Sequence, residues 1–276
     1  MNVGESLKAS TEFLAGKGVG SPRVDSEHLV AKALGLSRLD LYLQHDRELT
    51  GEELAEAREL VRRRGTREPL AYVLGEWGFR RLTLTTDKRA LVPRPETEIV
   101  VERCLAHLAG IDEPDVLDVG VGSGAISLAI ADEHPGARVT AIDASEEALA
   151  LAKENMERTG LAVDLLLHDL RDGLPGGPYD LVVSNPPYVL PEEIDSLDPE
   201  VRDWEPRQAL VGRDATEAIA RSAPAVLRRG GWLVLEVADG GAQATSDVLT
   251  ALRFRSVSRS LDLAERERVV EGRWES

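Results

Sequence analysis

The sequence predicts an α/β protein, in which a mainly parallel β-sheet with helices on both faces follows a small helical bundle. From residue 115 onward, short apolar runs typical of buried strands alternate with stretches of helical periodicity, which favours a parallel sheet covered on both faces. Residues 1–75 show helical periodicity without a convincing strand, whereas residues 76–92 alternate apolar with polar side chains. We therefore predict a helical domain at 1–75, a hairpin linker at 76–94 and an α/β domain at 95–276.

Proline and capping signals divide the first hundred residues into helices. Ser21 and Pro22 interrupt the apolar periodicity of the first helix. Thr50, followed three residues later by Glu53, is typical of a helix N-terminal cap. A Pro-Arg-Pro segment at 93–95 ends the linker, and we expect the next helix at about 96–108.

Seven apolar runs predict the strands of the sheet. They lie at 116–119, 139–142, 163–167, 181–183 and 232–237, with weaker runs at 254–257 and 268–270. We expect the intervening helices at 125–131, 145–159, 216–227 and 242–252. Because open parallel sheets bind ligands beyond the carboxyl ends of their strands, the residues that follow each strand are the candidate site.

Composition excludes several classes of protein. With 276 residues, 42% of them hydrophobic, the chain can form a sizeable core, yet it contains no run of 18 apolar residues that would cross a membrane. The N-terminus lacks the pattern of a secretory signal, so we expect a cytoplasmic protein without a membrane partner. The single cysteine, Cys104, rules out a disulfide framework, and no Cys/His spacing indicates a metal site.

The charge is strongly negative and unevenly distributed. Of the net −16, residues 76–276 carry −15, from 22 basic and 37 acidic side chains, which disfavours binding to a phosphate backbone. The densest basic cluster consists of Arg62, Arg63, Arg64 and Arg67. It fits either a solvated helix face or a docking surface for an acidic protein or RNA.

A glycine-rich loop follows the first strand of the α/β domain. Its residues are Gly120, Val121, Gly122, Ser123 and Gly124, and a predicted helix begins directly after them. Glycines at this spacing permit a tight turn and the close approach of a ligand to the backbone. The spacing is G-x-G-x-G and not the dinucleotide fingerprint G-x-G-x-x-G, so the loop alone also fits a turn without a ligand.

Acidic residues follow the next two strands. Asp143 comes 23 residues after Gly120, near the place where an acidic residue accepts the hydroxyls of a ribose; capping of the following helix is the alternative. Asp169 can accept from an adenine amino group while Leu170 packs on the ring, although a loop aspartate can also be simply solvated. Together with the glycine loop, these residues predict a nucleoside site.

A stiff polar turn follows the fourth strand. Its residues are Asn185, Pro186, Pro187 and Tyr188. The two prolines fix their own φ angles and restrict the residue before each of them. The Asn185 side chain and a backbone carbonyl of the turn offer two acceptors, which suits a substrate NH2 group, while Tyr188 can supply an aromatic wall.

The glycine loop, Asp143 and the Asn-Pro-Pro-Tyr turn, in this order, resemble the S-adenosylmethionine-dependent methyltransferases that act on planar nitrogen atoms. A narrower resemblance, to the release-factor glutamine methyltransferases of the PrmC/HemK family, is carried by five segments. They are Ser-Pro-Arg-Val-Asp (21–25), Arg-Glu-Pro-Leu-Ala-Tyr-Val-Leu-Gly (67–75), Leu-Val-Pro-Arg-Pro-Glu-Thr-Glu (91–98), Glu-Pro-Arg-Gln-Ala-Leu (205–210) and Arg-Val-Val-Glu-Gly-Arg (268–273). The chain departs from the family pattern at 211–215 and 240–243.

The resemblance implies a class-I, Rossmann-like fold with a seven-stranded sheet and S-adenosylmethionine as cofactor. It also implies methylation of the side-chain amide nitrogen of the glutamine in the Gly-Gly-Gln motif of class-I peptide-chain release factors, which supports translation termination. The cofactor-binding residues would be Gly120, Val121, Gly122, Ser123, Gly124, Asp143, Asp169, Leu170 and Asn185. Asn185 and Pro186 would bind the target amide, Pro187 and Tyr188 would pack around it, and the helical domain would grip the release factor.

Two related activities remain as alternatives at this point. An adenine-N(6) nucleic-acid methyltransferase presents the same NH2 group to the same turn, but the acidic body and the lack of an extended basic region argue against it. A ribosomal-protein glutamine methyltransferase shares the turn and should differ in its first domain. We expect a monomer that does not bind nucleic acid directly.

Overall fold

The computed structural model describes residues 1–212 and 214–275 and divides the chain into two compact units. The first unit comprises Met1–Glu76 together with Leu197–Trp204, and the second comprises Trp77–Ser196 together with the chain from Glu205 onward. The segment 197–204 lies inside the range predicted for the α/β domain, yet it groups with the helical unit. Arg213, in the 211–215 departure from the family pattern, is outside the described residues.

The first unit is helical, as its apolar periodicity predicts. Its helices are α1 (Val3–Gly16), α2 (Pro22–Leu34), α3 (Arg38–Leu43), α4 (Gly51–Gly65) and α5 (Leu70–Leu74), with one further turn at Pro199–Arg202. The predicted cap of α4 is confirmed: the Thr50 side chain accepts from the Glu53 N–H, and the Glu53 carboxylate accepts from the Thr50 N–H. Capping boxes also begin α1 and α3, which satisfies backbone donors that a short helix otherwise leaves free.

The basic cluster at the end of α4 and just after it forms ion pairs inside this unit. Arg64, of which 7% of the side chain is exposed, donates from Nε to Asp25 Oδ2 at 2.7 Å and from Nη2 to Glu200 Oε1 at 2.8 Å. Arg67 donates to both carboxylate oxygens of Glu200. The remaining pairs are Arg62–Glu59 and Arg63–Glu68. Arg64 and Arg67 therefore hold the turn that contains Glu200, whereas Arg62 and its partner Glu59 are exposed to solvent.

The second unit contains a hairpin and a seven-stranded sheet. The hairpin pairs β1 (Glu76–Phe79) with β2 (Leu82–Thr85) within the predicted linker. The helices that follow are α6 (Pro95–Leu108), α7 (Ala125–Glu133), α8 (Glu146–Thr159), α9 (Arg207–Leu210), α10 (Ala215–Ser222) and α11 (Ala242–Ala251). The strands are β3 (Asp115–Val119), β4 (Arg138–Asp143), β5 (Asp164–Leu167), β6 (Tyr179–Ser184), β7 (Leu227–Glu236), β8 (Arg255–Leu261) and β9 (Glu267–Arg273).

The sheet is mainly parallel, as predicted. Its strand order is β5-β4-β3-β6-β7-β9-β8, in which the first five strands run parallel and β9 runs antiparallel to both of its neighbours. β3, β4 and β6 pair through their central residues, so the loops that follow them emerge side by side at one edge. The glycine loop, Asp143 and Asn185 therefore lie at neighbouring positions.

Apolar side chains cover the sheet on both faces. One cluster joins α6, α7 and α8 to one face, and a second joins α10 and α11 to the other. Cys104 is fully buried in the first cluster, and burial raises the pKa of its thiol, which agrees with the role of a core residue. Among the described residues, no helix combines the length and the apolar character needed to cross a bilayer.

One predicted helix is too long in the sequence analysis. The helix expected at 216–227 ends at Ser222, and a single 3₁₀ turn at Ala223–Ala225 follows it. Pro224 lacks the N–H that would continue the helical hydrogen bonds. The next strand begins at Leu227, five residues before the predicted start, so Gly230 and Gly231 lie inside β7 and not in a turn before it.

Candidate functional site

A cavity of about 250 Å³ opens at the carboxyl edge of the sheet, within the second unit. Its volume approaches the lower end of the range for small-molecule pockets, about 300 Å³. The predicted site residues in its lining are Gly120, Val121, Gly122, Ser123, Asp143, Asp169, Leu170, Asn185, Pro186 and Pro187. Gly124 and Tyr188 are the two predicted residues that do not contribute to the described lining.

The glycine loop adopts a conformation that favours glycine at three positions. Gly120, Gly122 and Gly124 have φ angles of 86°, 53° and 85°, which L side chains rarely adopt. The N–H groups of Gly120 and Val121 donate to the Ile142 carbonyl at 2.8 and 3.0 Å, so the loop is fixed to β4. A Cβ on Gly124 would lie 3.0 Å from Leu128 Cδ1, so this glycine lets the loop enter α7 and does not face the cavity.

Asp143 connects the glycine loop to the start of α8. Its carboxylate accepts from the Gly122 N–H at 3.0 Å and from the Ser145 N–H at 2.9 Å. Burial raises the pKa of the carboxyl, while these two hydrogen bonds oppose that shift. Ser145 is the N-cap of α8 and accepts from the Ala148 N–H, so the helix does not need Asp143 as its cap. Each Asp143 oxygen retains acceptor capacity toward the cavity.

Asp169 and Leu170 line the same cavity, although the carboxylate of Asp169 already has a partner. Both of its oxygens accept from the exposed Arg171 guanidinium, with Nε at 3.0 Å from each. The Arg171 hydrogen bonds lower the pKa of Asp169 to about 2. An adenine amino group would have to share this carboxylate with Arg171. The role of Asp169 as an adenine acceptor stays a prediction.

Asp118 is a buried carboxyl beneath the glycine loop. It is 1% exposed and accepts from the Ser127 hydroxyl through Oδ2. Its Oδ1 has no hydrogen-bond partner among the described residues. Burial raises the pKa of Asp118 to about 7, and the nearby Asp143 charge adds to the shift. Asp118 lies in the predicted strand 116–119 and was not among the predicted site residues.

The polar turn is held in place where it leaves β6. The Ser184 hydroxyl donates to the Val119 carbonyl at 2.6 Å, which fixes the strand end to β3. Asn185 Nδ2 then donates to Thr97 Oγ1 at 3.2 Å, and Thr97 Oγ1 donates to Glu236 Oε2 at 2.6 Å. Burial raises the pKa of Glu236 to about 7. Thr97 also lines the cavity.

Tyr188, the last residue of the turn, is half-buried and lies outside the described cavity lining. Burial raises the pKa of its phenol, and the nearby Glu236 carboxylate adds to that shift. Its proposed place as an aromatic wall beside the substrate therefore remains a prediction.

An ion pair joins two walls of the cavity. Arg94, before α6, donates from Nη2 to both oxygens of Glu205 at 2.7 Å, and Glu205 also accepts from the Val92 N–H. Glu205 is 5% exposed, and burial raises its pKa although Arg94 opposes the shift. The pair links the 91–98 segment to the 205–210 segment, both of which contribute cavity residues.

Sequence reasoning missed Thr97, Glu236, Arg94 and Glu205 as site residues. Three of them lie in the segments 91–98 and 205–210, which had been singled out only for their resemblance to a family. Glu236 lies one residue before the end of the predicted strand 232–237, and the available signal was a carboxylate at the end of a strand that neighbours Asn185.

Two family models match the chain: the PrmC N-terminal domain over residues 5–75 and the methyltransferase small domain over residues 97–197. A release factor glutamine methyltransferase from Chlorobaculum tepidum is 43% identical over 258 residues, which cover 88% of this chain and 87% of the relative. Another, from Deinococcus radiodurans, is 39% identical over 277 residues, and the match covers 99% of both chains. This chain belongs to the release factor glutamine methyltransferase family.

A solved structure agrees with the fold. A 16S rRNA methyltransferase from T. thermophilus, in complex with AdoMet and guanosine, matches with a TM-score of 0.54 and 20% identity, over 72% of this chain and 50% of that one. At this identity the likeness concerns the fold alone. It confirms the predicted class-I, Rossmann-like architecture.

Membership in the family confirms the predicted class of enzyme: a glutamine methyltransferase that uses S-adenosylmethionine as methyl donor. The residues of the cavity fit such a donor. The positive φ angles of Gly120 and Gly122 expose backbone to the cavity, and Asp143 offers half-buried carboxylate oxygens beside it. A nucleoside with hydroxyl donors suits this combination.

Proposed function

We propose that this enzyme methylates the side-chain amide nitrogen of the glutamine in the Gly-Gly-Gln motif of class-I peptide-chain release factors. The observation that carries the proposal is that Asn185, Pro186 and Pro187 line the same cavity as Gly122 and Asp143. Transfer to a planar nitrogen requires the acceptor turn and the nucleoside-binding residues to share one chamber. The curated relatives are named for a release factor, which supports that substrate.

The cavity residues divide into two groups by role. S-adenosylmethionine, when bound, supplies a methyl group on a positively charged sulfur. In our proposal the glycine loop accommodates this ligand against its backbone, Asp143 accepts from the ribose hydroxyls and Leu170 packs on the adenine. Asp169 shares its carboxylate between the adenine and Arg171.

The acceptor turn addresses the low reactivity of an amide. The lone pair of the glutamine nitrogen is delocalised into its carbonyl, so the nitrogen is a weak nucleophile. Asn185 Oδ1 and the Pro186 carbonyl each accept one amide hydrogen, which aims the nitrogen in a single direction, while Pro187 and Tyr188 pack around the amide. Such alignment lowers a barrier by up to about 7–11 kcal/mol. The proton leaves the nitrogen after transfer, so no general base has to act first.

The same acceptors discriminate against glutamate. A glutamate carboxylate would bring negative oxygens against the two acceptors, with no hydrogen to satisfy either. Sites built to bind substrate NH groups reject analogues without them by about 10⁴–10⁵-fold. We therefore expect no measurable methylation of a Gly-Gly-Glu variant.

The experiment is the transfer of labelled methyl from S-adenosylmethionine to a purified class-I release factor. A Gly-Gly-Ala variant of the factor and a DNA duplex are run beside it. We expect label in the intact factor alone. Label in the DNA, or equal label in both proteins, would contradict the proposed substrate.

Asn185→Ala tests the site within the same assay. We expect this variant to lose methyl transfer far more than S-adenosylmethionine binding, measured by single-turnover kinetics and by calorimetry. Comparable losses of both would mean that Asn185 mainly holds the cofactor.

We further propose that the enzyme acts as a cytoplasmic monomer on a protein substrate. The net charge of −15 over residues 76–276 opposes a phosphate backbone, which supports a protein and not a nucleic acid as substrate.

A further inference from the structure

A hydrogen-bonded chain of two residues lies behind Asn185. Asn185 Nδ2 donates to Thr97 Oγ1 at 3.2 Å, and Thr97 Oγ1 donates to Glu236 Oε2 at 2.6 Å. Thr97 is 4% exposed and Glu236 is 2% exposed, so water has little access to either side chain. The three residues come from the turn after β6, the first turn of α6 and the end of β7. Three separate elements of the fold are therefore needed to form these two hydrogen bonds.

The chemistry of the hydroxyl fixes the direction of these hydrogen bonds. A threonine hydroxyl has one hydrogen, and a carboxylate is an acceptor only. With Glu236 ionised, the hydrogen of Thr97 goes to Glu236, and Thr97 Oγ1 can then only accept. The group of Asn185 that meets Thr97 must therefore be its NH2, which turns Oδ1 away from Thr97.

We propose that Thr97 and Glu236 are positioning residues that hold the amide of Asn185 with Oδ1 directed at the substrate. This inference rests on the proposed function, in which Asn185 Oδ1 accepts a hydrogen from the target glutamine. If the Asn185 amide were reversed, its NH2 would meet the NH2 of the substrate, and two donors would face each other. Thr97 and Glu236 thus select the productive orientation of the Asn185 amide over the reversed one, although both occupy almost the same space.

The ionisation of Glu236 controls this selection. Glu236 is buried, and the charged and titratable groups near it come from four segments: Arg94 before α6, Glu96 in α6, Tyr188 after β6 and Arg268 in β9. Burial raises the pKa of Glu236 to about 7, although the Thr97 hydrogen bond and the two arginines oppose the shift. A protonated Glu236 can donate to Thr97, which frees the Thr97 hydrogen for Asn185 Oδ1 and permits the reversed amide. We therefore expect the transfer rate to fall as the pH falls through about 7.

Single-turnover methyl transfer to the release factor by the full-length protein tests the hydrogen bonds from Asn185 through Thr97 to Glu236. Thr97→Val keeps the shape of the side chain and removes the hydroxyl, and we expect it to lower the rate by up to about 100-fold, as small misplacements of reacting groups do. Thr97→Ser restores the hydroxyl and should retain most of the rate. Thr159→Val is the matched control, because the Thr159 hydroxyl donates to backbone carbonyls within α8, its partners among the described residues. S-adenosylmethionine affinity, measured by calorimetry, should be the same in all of them.

The pH dependence distinguishes positioning from packing. In the unmodified enzyme the ionised fraction of Glu236 changes about 10-fold between pH 8 and pH 6, for a pKa of about 7, and the rate should follow it. The methyl-transfer rate that remains in Thr97→Val should not change with pH in this range. A full rate in Thr97→Val, equal losses in the Val and Ser variants, or a parallel loss of cofactor affinity would overturn the inference.

A measurement without substrate separates this inference from the proposed function. The side-chain amide resonance of Asn185, identified by its loss in Asn185→Ala, should shift between pH 8.5 and 5.5 in the unmodified chain and stay constant in Thr97→Val. A resonance that does not titrate in the unmodified chain overturns the positioning role, whatever the substrate. If it titrates but the release factor is not methylated, the proposed substrate fails and the hydrogen-bonded chain stands.

Discussion

Truncation of Arg64 should destabilise the helical unit severely. Arg64 makes three charged or backbone contacts inside this unit: Nε to Asp25 at 2.7 Å, Nη1 to the Glu68 carbonyl at 3.1 Å and Nη2 to Glu200 at 2.8 Å. The side chains of Arg64 and Asp25 are only 7% and 8% exposed. Arg64→Ala removes all three contacts at once.

The magnitude follows from which partner is left without a counter-charge. Glu200 still accepts hydrogen bonds from Arg67 at both of its oxygens, so the loss of Arg64 costs Glu200 little. Asp25 keeps no other salt-bridge partner among the described residues, and a buried charge that loses its partner costs about 3–5 kcal/mol. The Glu68 carbonyl adds the cost of an unsatisfied buried acceptor, about 1–3 kcal/mol, and local rearrangement offsets part of the total. We therefore expect a loss of about 3–5 kcal/mol.

Hydrogen exchange of the full chain measures this loss locally, at the amides of α2 and α4. The matched control is Arg62→Ala in the same helix, since Arg62 and its partner Glu59 are exposed and their pair should contribute little. The expected result is faster exchange throughout both helices in Arg64→Ala and unchanged exchange in Arg62→Ala. Equal, small effects of the two substitutions would refute the argument that burial makes the Arg64 pair important.

Two further predictions concern the glycine loop. Between pH 4 and 7 a folded Asp118 keeps a proton that the unfolded chain has released. The free energy of unfolding should therefore fall as the pH rises through this window, by at most about 4 kcal/mol for a folded pKa of about 7. Urea unfolding of Asp118→Asn should show a shallower dependence on pH, and an identical slope would contradict the assignment. Gly124→Ala and Gly160→Ala both force alanine to a positive φ, at a cost of about 1–2 kcal/mol in stability. Calorimetry should show weaker S-adenosylmethionine binding only for Gly124→Ala, because its Cβ would press on Leu128. Equal binding by the two variants would contradict a role for the loop.

The sheet was predictable because its signals are local. Each parallel strand is an apolar run flanked by helical periodicity, and Thr50 with Glu53 marks the start of α4 within four residues. β7 was predicted too short for the same reason, since Gly230 and Gly231 look like a turn when only their neighbours are considered. The sheet overrides that local preference, because Leu227 pairs with Tyr179 of β6 before the register shifts near the glycines.

The ion pairs of Arg64 and Arg67 could not be predicted because their partners are distant in the sequence. Asp25 lies 39 residues before Arg64, and Glu200 lies 136 residues after it. No periodicity or local charge pattern connects these positions. A run of arginines looks solvated until the fold supplies carboxylates to it.

The same reasoning explains which half of the site could be derived from the sequence. Glycines, strand-end aspartates and the Asn-Pro-Pro-Tyr turn are recognisable because their chemistry depends on residue type at one place in the chain. The orientation of the Asn185 amide depends instead on Thr97, 88 residues earlier, and on Glu236, which is 139 residues from Thr97. An amide can be reversed with almost no change in shape, so packing alone cannot select its direction. The selection requires a hydrogen-bond partner of fixed polarity, and an ionised Glu236 gives Thr97 that polarity.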